Sequence, residues 1–176
     1  MNSNELKTRD QIDKKYKWNI EAMISDDSAV DGDLDRIAER AEEYNRTYSG
    51  KLAESAAGLL KAHKDRDAIW MDLERIFVYA RMRRDENNAD SKYQAMTSRC
   101  GAVIAKVSAA MAFFTPELLA SPEETILGYI DQEPGLKEYE FAIRDTLRQK
   151  AHVLSEAEEN ILAQMSEVTG ATNDIF

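Results

Sequence analysis

Few residues in this chain could make or break bonds. There are two histidines, His63 and His152, and a single cysteine, Cys100, set among 33 carboxylates and 23 lysines and arginines. A zinc site wants several His, Cys or carboxylate ligands, and its helical HExxH form needs two histidines four residues apart on one face. His63 and His152 lie far apart, and neither is followed by Glu. A di-iron bundle needs Glu-x-x-His pairs; Leu60 and Gln149 occupy the positions three before the two histidines. No GxSxG elbow, phosphate-binding glycine loop or GxGxxG turn is present. Cys100 falls on an apolar stripe, where a thiol is poorly placed to ionise and acts as a small hydrophobe. Carboxylates are plentiful, as in any acidic helical protein, and none stands out as an acid/base pair. The expected inventory is therefore empty: no catalytic residue, no cofactor-binding residue and no metal ligand. The segment alone is expected to be inactive.

Charge narrows the partners. A formal net charge of -10 argues against a nucleic-acid binder, which needs a basic face to displace counterions from phosphates. Arg81, Arg83 and Arg84 form a local basic cluster, followed at once by Asp85 and Glu86. They read as cations at the negative end of a helix. The run Asp85-Glu86-Asn87-Asn88-Ala89-Asp90 lacks the central Gly and terminal Glu of a calcium loop. The polar N-terminus has no apolar core of the kind a signal peptide needs, and one cysteine allows no internal disulfide. The expected location is the cytoplasm, with no nucleic acid and no membrane among the partners.

The elements that must position these residues read as helices. Gly 7 and Pro 3 are low counts for a 176-residue chain, and both residues break helices. The expected fold is all-α: an antiparallel bundle of about six to seven helices around a central apolar one. That central helix is Tyr93 to Phe114, with apolar residues at Tyr93, Met96, Cys100, Val103, Ile104, Val107, Met111 and Phe114. Steps of three and four keep one side apolar. The other side carries Gly101, Ala102, Ala105, Ser108, Ala109 and Ala112, so the helix is expected to be buried on most of its circumference. Arg99, Lys106 and Ser108 interrupt it as a membrane span.

Residues 1–15 read as a polar leader, after which Tyr16, Trp18 and Ile20 suggest a docking arm. Helices are expected from Ala29 to Tyr48, stopped by Gly50, and from Leu52 to His63, with His63 at its end favouring the helix dipole. Asp65 or Asp67 would cap a separate helix bearing Ile69, Trp70, Leu73, Ile76, Phe77 and Ala80. Asp90 or Ser91 would cap the central helix, and Thr115-Pro116 would end it. Ser121-Pro122-Glu123-Glu124 starts a helix, another runs from Leu136 to about Ala151, and Ser155 with Glu158 makes a capping box for the last, which Gly170 would stop. The domain is expected to run over 16–170, with 171–176 opening a missing C-terminal region.

Several stretches together resemble a known family. They are Tyr16-Lys17-Trp18-Asn19-Ile20, Tyr48-Ser49-Gly50-Lys51-Leu52, Leu73-Glu74-Arg75-Ile76-Phe77-Val78-Tyr79-Ala80, Asp90-Ser91-Lys92-Tyr93-Gln94-Ala95, Phe113-Phe114-Thr115-Pro116-Glu117-Leu118 and the run from Lys150 through Leu162. In this order and spacing they resemble the N-terminal region of the oligoendopeptidase F family, zinc metallopeptidases related to thimet oligopeptidase. The resemblance runs from about residue 9 onward. It implies that zinc is held by an HExxH motif and a further Glu in a C-terminal catalytic region absent from this sequence. It also implies that the helical region forms part of the wall or lid of a channel admitting short peptides. No zinc ligand carries over, and His152, inside a matching stretch, is expected to pack rather than bind.

The implied partners are the catalytic C-terminal region of the same enzyme and short peptides. An apolar face left bare by truncation would favour a homodimer of the isolated segment. The alternative is a stand-alone interaction module without enzymatic activity, anchored by exposed Trp18, Tyr44 and Tyr48. A thiol enzyme using Cys100 is a third reading.

Overall fold

A computed structural model describes residues 9–150. The expected leader from Arg9 onward, and the helices as far as Lys150, fall within this range. The expected capping box at Ser155, its helix, Gly170 and His152 lie outside the described residues.

The core is built from three long antiparallel helices: α1 (Val30–Tyr48), α2 (Ala56–Glu86) and α3 (Ser91–Met111). Each pair of them is in contact. Three shorter helices follow, α4 (Phe114–Ala120), α5 (Glu123–Gln132) and α6 (Glu140–Gln149), with a 3-10 helix at Pro134–Tyr139 between the last two. No strand occurs among the described residues. The class is all-α as expected, but the count differs. Five helices of ten residues or more are present, and α4 has only seven.

The main cause is α2. Two helices were expected either side of Asp65, and the structure has one of 31 residues, about 46 Å long. Nothing between Lys61 and Ala68 breaks a helix. Lys61 instead pairs with Asp65 one turn on, at 2.6 Å. Ser55, not Asp65 or Asp67, caps it, its hydroxyl accepting from the Gly58 N–H at 3.1 Å. α2 buries residues on more than one side, from Leu59, Ala62 and His63 to Tyr79 and Ala80. It is the spine shared by α1 and α3 along the bundle and by the 134–139 turn near its N-terminal end, where Leu60 meets Gly135.

The central helix also departs from expectation at both its end and its back. It stops at Met111, before Thr115-Pro116, and Pro116 sits in the first turn of α4, where a missing N–H costs no hydrogen bond. Asp90 caps its start, accepting from the Lys92 N–H at 2.9 Å. Its apolar stripe of Met96, Cys100, Val103, Val107 and Met111 is buried. Its other face is not: Gly101, Ala102, Ala105, Ser108, Ala109 and Ala112 are exposed. The 18-residue window in Ser91–Ala120 that is apolar enough to span a membrane has only 28% of its residues buried. Burial on most of the circumference is therefore corrected to burial on one side, because α1 and α2 both pack on the same stripe. Ser121 is likewise not the cap of α5; its hydroxyl donates to the Glu117 carbonyl at 2.9 Å and Pro122 holds the cap position.

After α1 the chain turns through Gly50, with φ +79°. Its N–H donates to Glu117 Oε1 at 2.6 Å, tying this turn to α4. Nothing crowds the position, so the cost of a side chain there is conformational. Gly50→Ala is expected to lower stability by about 1 kcal/mol in denaturant unfolding. Gly101→Ala, on an exposed helical site with open space, is expected to raise it by roughly 0.5–1 kcal/mol. Equal effects at the two positions would contradict the turn geometry.

Candidate functional site

Cys100 and His63, the two of these reactive residues that are described, are isolated by the core. Cys100 is fully buried on the α3 stripe, and burial pushes its thiol pKa up. A buried thiol with a raised pKa is a weak nucleophile, so the thiol-enzyme reading loses its basis. Native Cys100 is expected to react with a thiol reagent only after denaturation. No group of three or more His, Cys, Asp or Glu is arranged to hold a metal ion among the described residues.

His63 is not at a helix end. It lies inside α2, 2% exposed, and its ring stacks on Tyr139 with centroids 4.4 Å apart. The edge of Phe114 meets it at 4.9 Å, and the Arg66 guanidinium lies 4.2 Å from the centre of that same phenyl ring. One histidine thus joins α2 to α4 and to the 134–139 turn. Arg66 Nη2–H faces Nδ1 at 3.4 Å, which makes Nδ1 the acceptor and leaves the proton on Nε2. Nε2 is buried with no partner among the described residues. Burial, with Arg66 adding repulsion, outweighs the opposing attraction of Asp67 and pushes the pKa down to about 4. The ring is a neutral packing element with nothing beside it to build a metal site.

Two polar clusters sit where helices cross. Tyr48 on α1 donates from its hydroxyl to Asp65 at 2.5 Å, and Lys61 reaches both, at 2.6 Å to Asp65 and 3.0 Å to the Tyr48 oxygen. Burial opposes ionisation of Asp65, but hydrogen bonds from Lys61 and Tyr48 hold its carboxyl below the usual range. The cluster is internally satisfied, and it latches the end of α1 to α2. Tyr44 beside it is 3% exposed and Tyr48 7% exposed. They are core residues, not the exposed anchors that the interaction-module reading required.

The second cluster surrounds Arg83. This half-buried guanidinium bonds Glu21 at 3.0 Å, Glu86 at 3.1 Å and the Tyr79 hydroxyl at 3.3 Å. Arg9 pairs with the same Glu86. The basic cluster therefore serves more than the helix dipole: Arg83 clamps the N-terminal arm onto the last turn of α2. The spacing of charges in sequence carried no sign of this, since Glu21 lies 62 residues from Arg83. The arm is held by buried Ile20 and by this clamp, while Trp18 remains 79% exposed. Trp18 does not dock against anything among the described residues.

Among the described residues, Cys100 and His63 are both sealed in the helical core. Similarity to known proteins gives the family. A family model described as oligopeptidase F matches residues 117–176. The oligopeptidase PepF of Bacillus subtilis is 32% identical over 174 residues, covering 99% of this chain and 26% of the relative. The group B oligopeptidase PepB of Streptococcus agalactiae is 30% identical over 168 residues, covering 96% of this chain and 28% of the relative. The crystal structure of oligoendopeptidase-F from Enterococcus faecium superposes with a TM-score of 0.67 at 30% identity, over 85% of this chain and 28% of that one. A putative peptidase from Chlamydophila abortus shares the fold with a TM-score of 0.76 at 18% identity. The chain belongs to the oligopeptidase F family and corresponds to its N-terminal region. It spans about a quarter of the length of these relatives.

The buried neutral His63 gives stability a pH dependence. In the unfolded chain an unperturbed histidine takes up a proton below about 6.5, whereas the folded ring resists protonation down to about 4. The contribution is fully present above pH 6.5 and is lost as pH falls toward 4, by about 3 kcal/mol in total. His63→Leu is expected to remove most of that slope between pH 7.5 and 4.5 in denaturant unfolding. An unchanged slope would show the ring is not buried neutral.

Proposed function

We propose that this chain is the N-terminal helical part of a zinc metalloendopeptidase that hydrolyses short peptides in the cytoplasm. It forms part of the wall or lid of the substrate channel and supplies no catalytic group. Zinc belongs to a catalytic region outside this sequence. The observation that carries the reading is the bare face of α3. From Gly101 to Ala112 this exposed face carries a single charge, Lys106, and monomeric proteins seldom expose so weakly charged a face unless it meets a partner. Gly101, Ala102, Ala105 and Ala109 let another backbone approach closely, and the chain covers only 26% to 28% of its relatives' lengths. The partner that fits is the catalytic portion of the same enzyme, held against α3 as one wall of the channel.

The test is a chimera in which this chain replaces the matching N-terminal stretch of the Bacillus subtilis relative. The chimera is expected to hydrolyse a short fluorogenic peptide, whereas the relative without that stretch, and this chain alone, are not. Gly101→Leu with Ala105→Leu should cut the chimera's activity at least tenfold by blocking close approach, without lowering the melting temperature of the isolated chain. Peptidase activity and stoichiometric zinc in the isolated chain would overturn the reading. Concentration-dependent dimers abolished by the two leucines would identify a second copy as the occupant in isolation.

A further inference from the structure

The N-terminal arm and the end of α2 enclose a cleft that the channel-wall reading does not use. The arm makes two 3-10 turns, at Arg9–Gln11 and Lys14–Tyr16, and Asp13 caps the second by accepting from the Lys15 N–H at 3.0 Å. Buried Ile20 and the Glu21–Arg83 pair then fix its far end. Between arm and helix lies a cavity of about 480 Å³ lined by Arg9, Lys14, Lys17, Trp18, Arg83 and Glu86. A second cavity of about 640 Å³ shares Arg9, Lys17, Arg83 and Glu86 and extends to Asp90 and Tyr93 on α3. Both volumes lie in the range of small-ligand clefts.

The charges in this cleft are not all accounted for. Arg9 and Arg83 are matched by Glu86 and Glu21. Asp90, at the far end, is engaged by the Lys92 N–H. Lys14 and Lys17 form no ion pair among the described residues. A role in steadying the helix end explains Arg9, which reaches Glu86, but not the two lysines. Beside them Trp18 presents most of its indole to solvent, a flat surface on which a ligand can stack. Two unmatched cations next to an exposed aromatic, within a chain of net charge -10, make a local site for an anion with apolar character.

We propose that this cleft binds acidic peptide segments, with Lys14 and Lys17 meeting carboxylates and Trp18 covering the adjoining side chain or backbone. The choice of a peptide over another anion rests on the channel-wall reading. The net negative field of the chain disfavours acidic ligands in general, so binding here has to be local. At physiological salt, screening over about 8 Å limits that repulsion to the nearest charges.

The probe is capped tetraglutamate, titrated into the 176-residue chain at low and physiological salt. Binding is followed by calorimetry and by quenching of Trp18 fluorescence, with Trp70→Phe removing the other indole. The expected result is saturable binding at one site, weakened by salt and absent for capped tetralysine. Lys14→Ala with Lys17→Ala should weaken it roughly tenfold, from two exposed ion pairs of up to about 1 kcal/mol each. Trp18→Ala should weaken it several-fold. Lys14 and Trp18 are exposed and Lys17 is half-buried, so unchanged melting temperatures will separate lost binding from lost folding. No saturable binding, equal affinity in the double-lysine variant, or inorganic phosphate binding as tightly as tetraglutamate would overturn the proposal. The chimera experiment bears on α3 and leaves the arm untouched. An active chimera without tetraglutamate binding therefore sinks the cleft alone, and an inactive chimera with binding sinks the channel reading alone.

Discussion

The structure depends on one asymmetric contact, the burial of a single stripe of α3 against both α1 and α2. Met96, Cys100, Val103, Val107 and Met111 remove their apolar surface from water on that side. Removal of apolar area stabilises at roughly 25 cal/mol per Å², so this seam is a large favourable term in the fold. Because two helices share the same stripe, none of the described elements covers the back of α3. The bare strip of glycine and alanine follows directly from how the bundle closes.

The length of α2 is the second constraint. A helix of this length reaches past the three-helix core and gives the shorter elements something to pack on. His63 and Tyr48 both fasten neighbouring elements to the stretch of α2 between Lys61 and Asp65, near its N-terminal end. His63 joins α2 to α4 and to the 134–139 turn through ring contacts rather than hydrogen bonds. Tyr48 joins α1 to α2 through a charged hydrogen-bond network. The first is sensitive to acid because a buried imidazole resists protonation; the second is less so because its carboxylate is held ionised.

Much of the architecture was legible from local pattern. The 3.6-residue spacing of Leu34, Ile37, Ala41 and Tyr44 marks the inner face of α1, and those residues are buried. Gly50 as a stop and Asp90 as a cap are local chemistry, and both appear. The break expected near Asp65 was misread because polar residues in mid-sequence look like a loop when their partners are unseen. His63 finds Tyr139 across the fold, and Lys61 finds Asp65 along the helix. Tyr44 and Tyr48 share the inner face of α1, so local periodicity already speaks against them as exposed anchors. Arg83 gave no signal at all, since its clamp depends on Glu21 lying across from it in space.

Composition and periodicity by themselves determined that this chain is acidic and that its described part is all-α. Those properties follow from residue counts and from spacings within one or two helical turns, which act before the chain is packed. Tertiary structure alone decided which face of α3 is left bare, that His63 is held neutral, and that Lys14 and Lys17 line a cleft against α2 with no ion pair among the described residues. Each of these depends on which distant segment arrives at a given surface, and the energy of burial or pairing exists only once it has arrived.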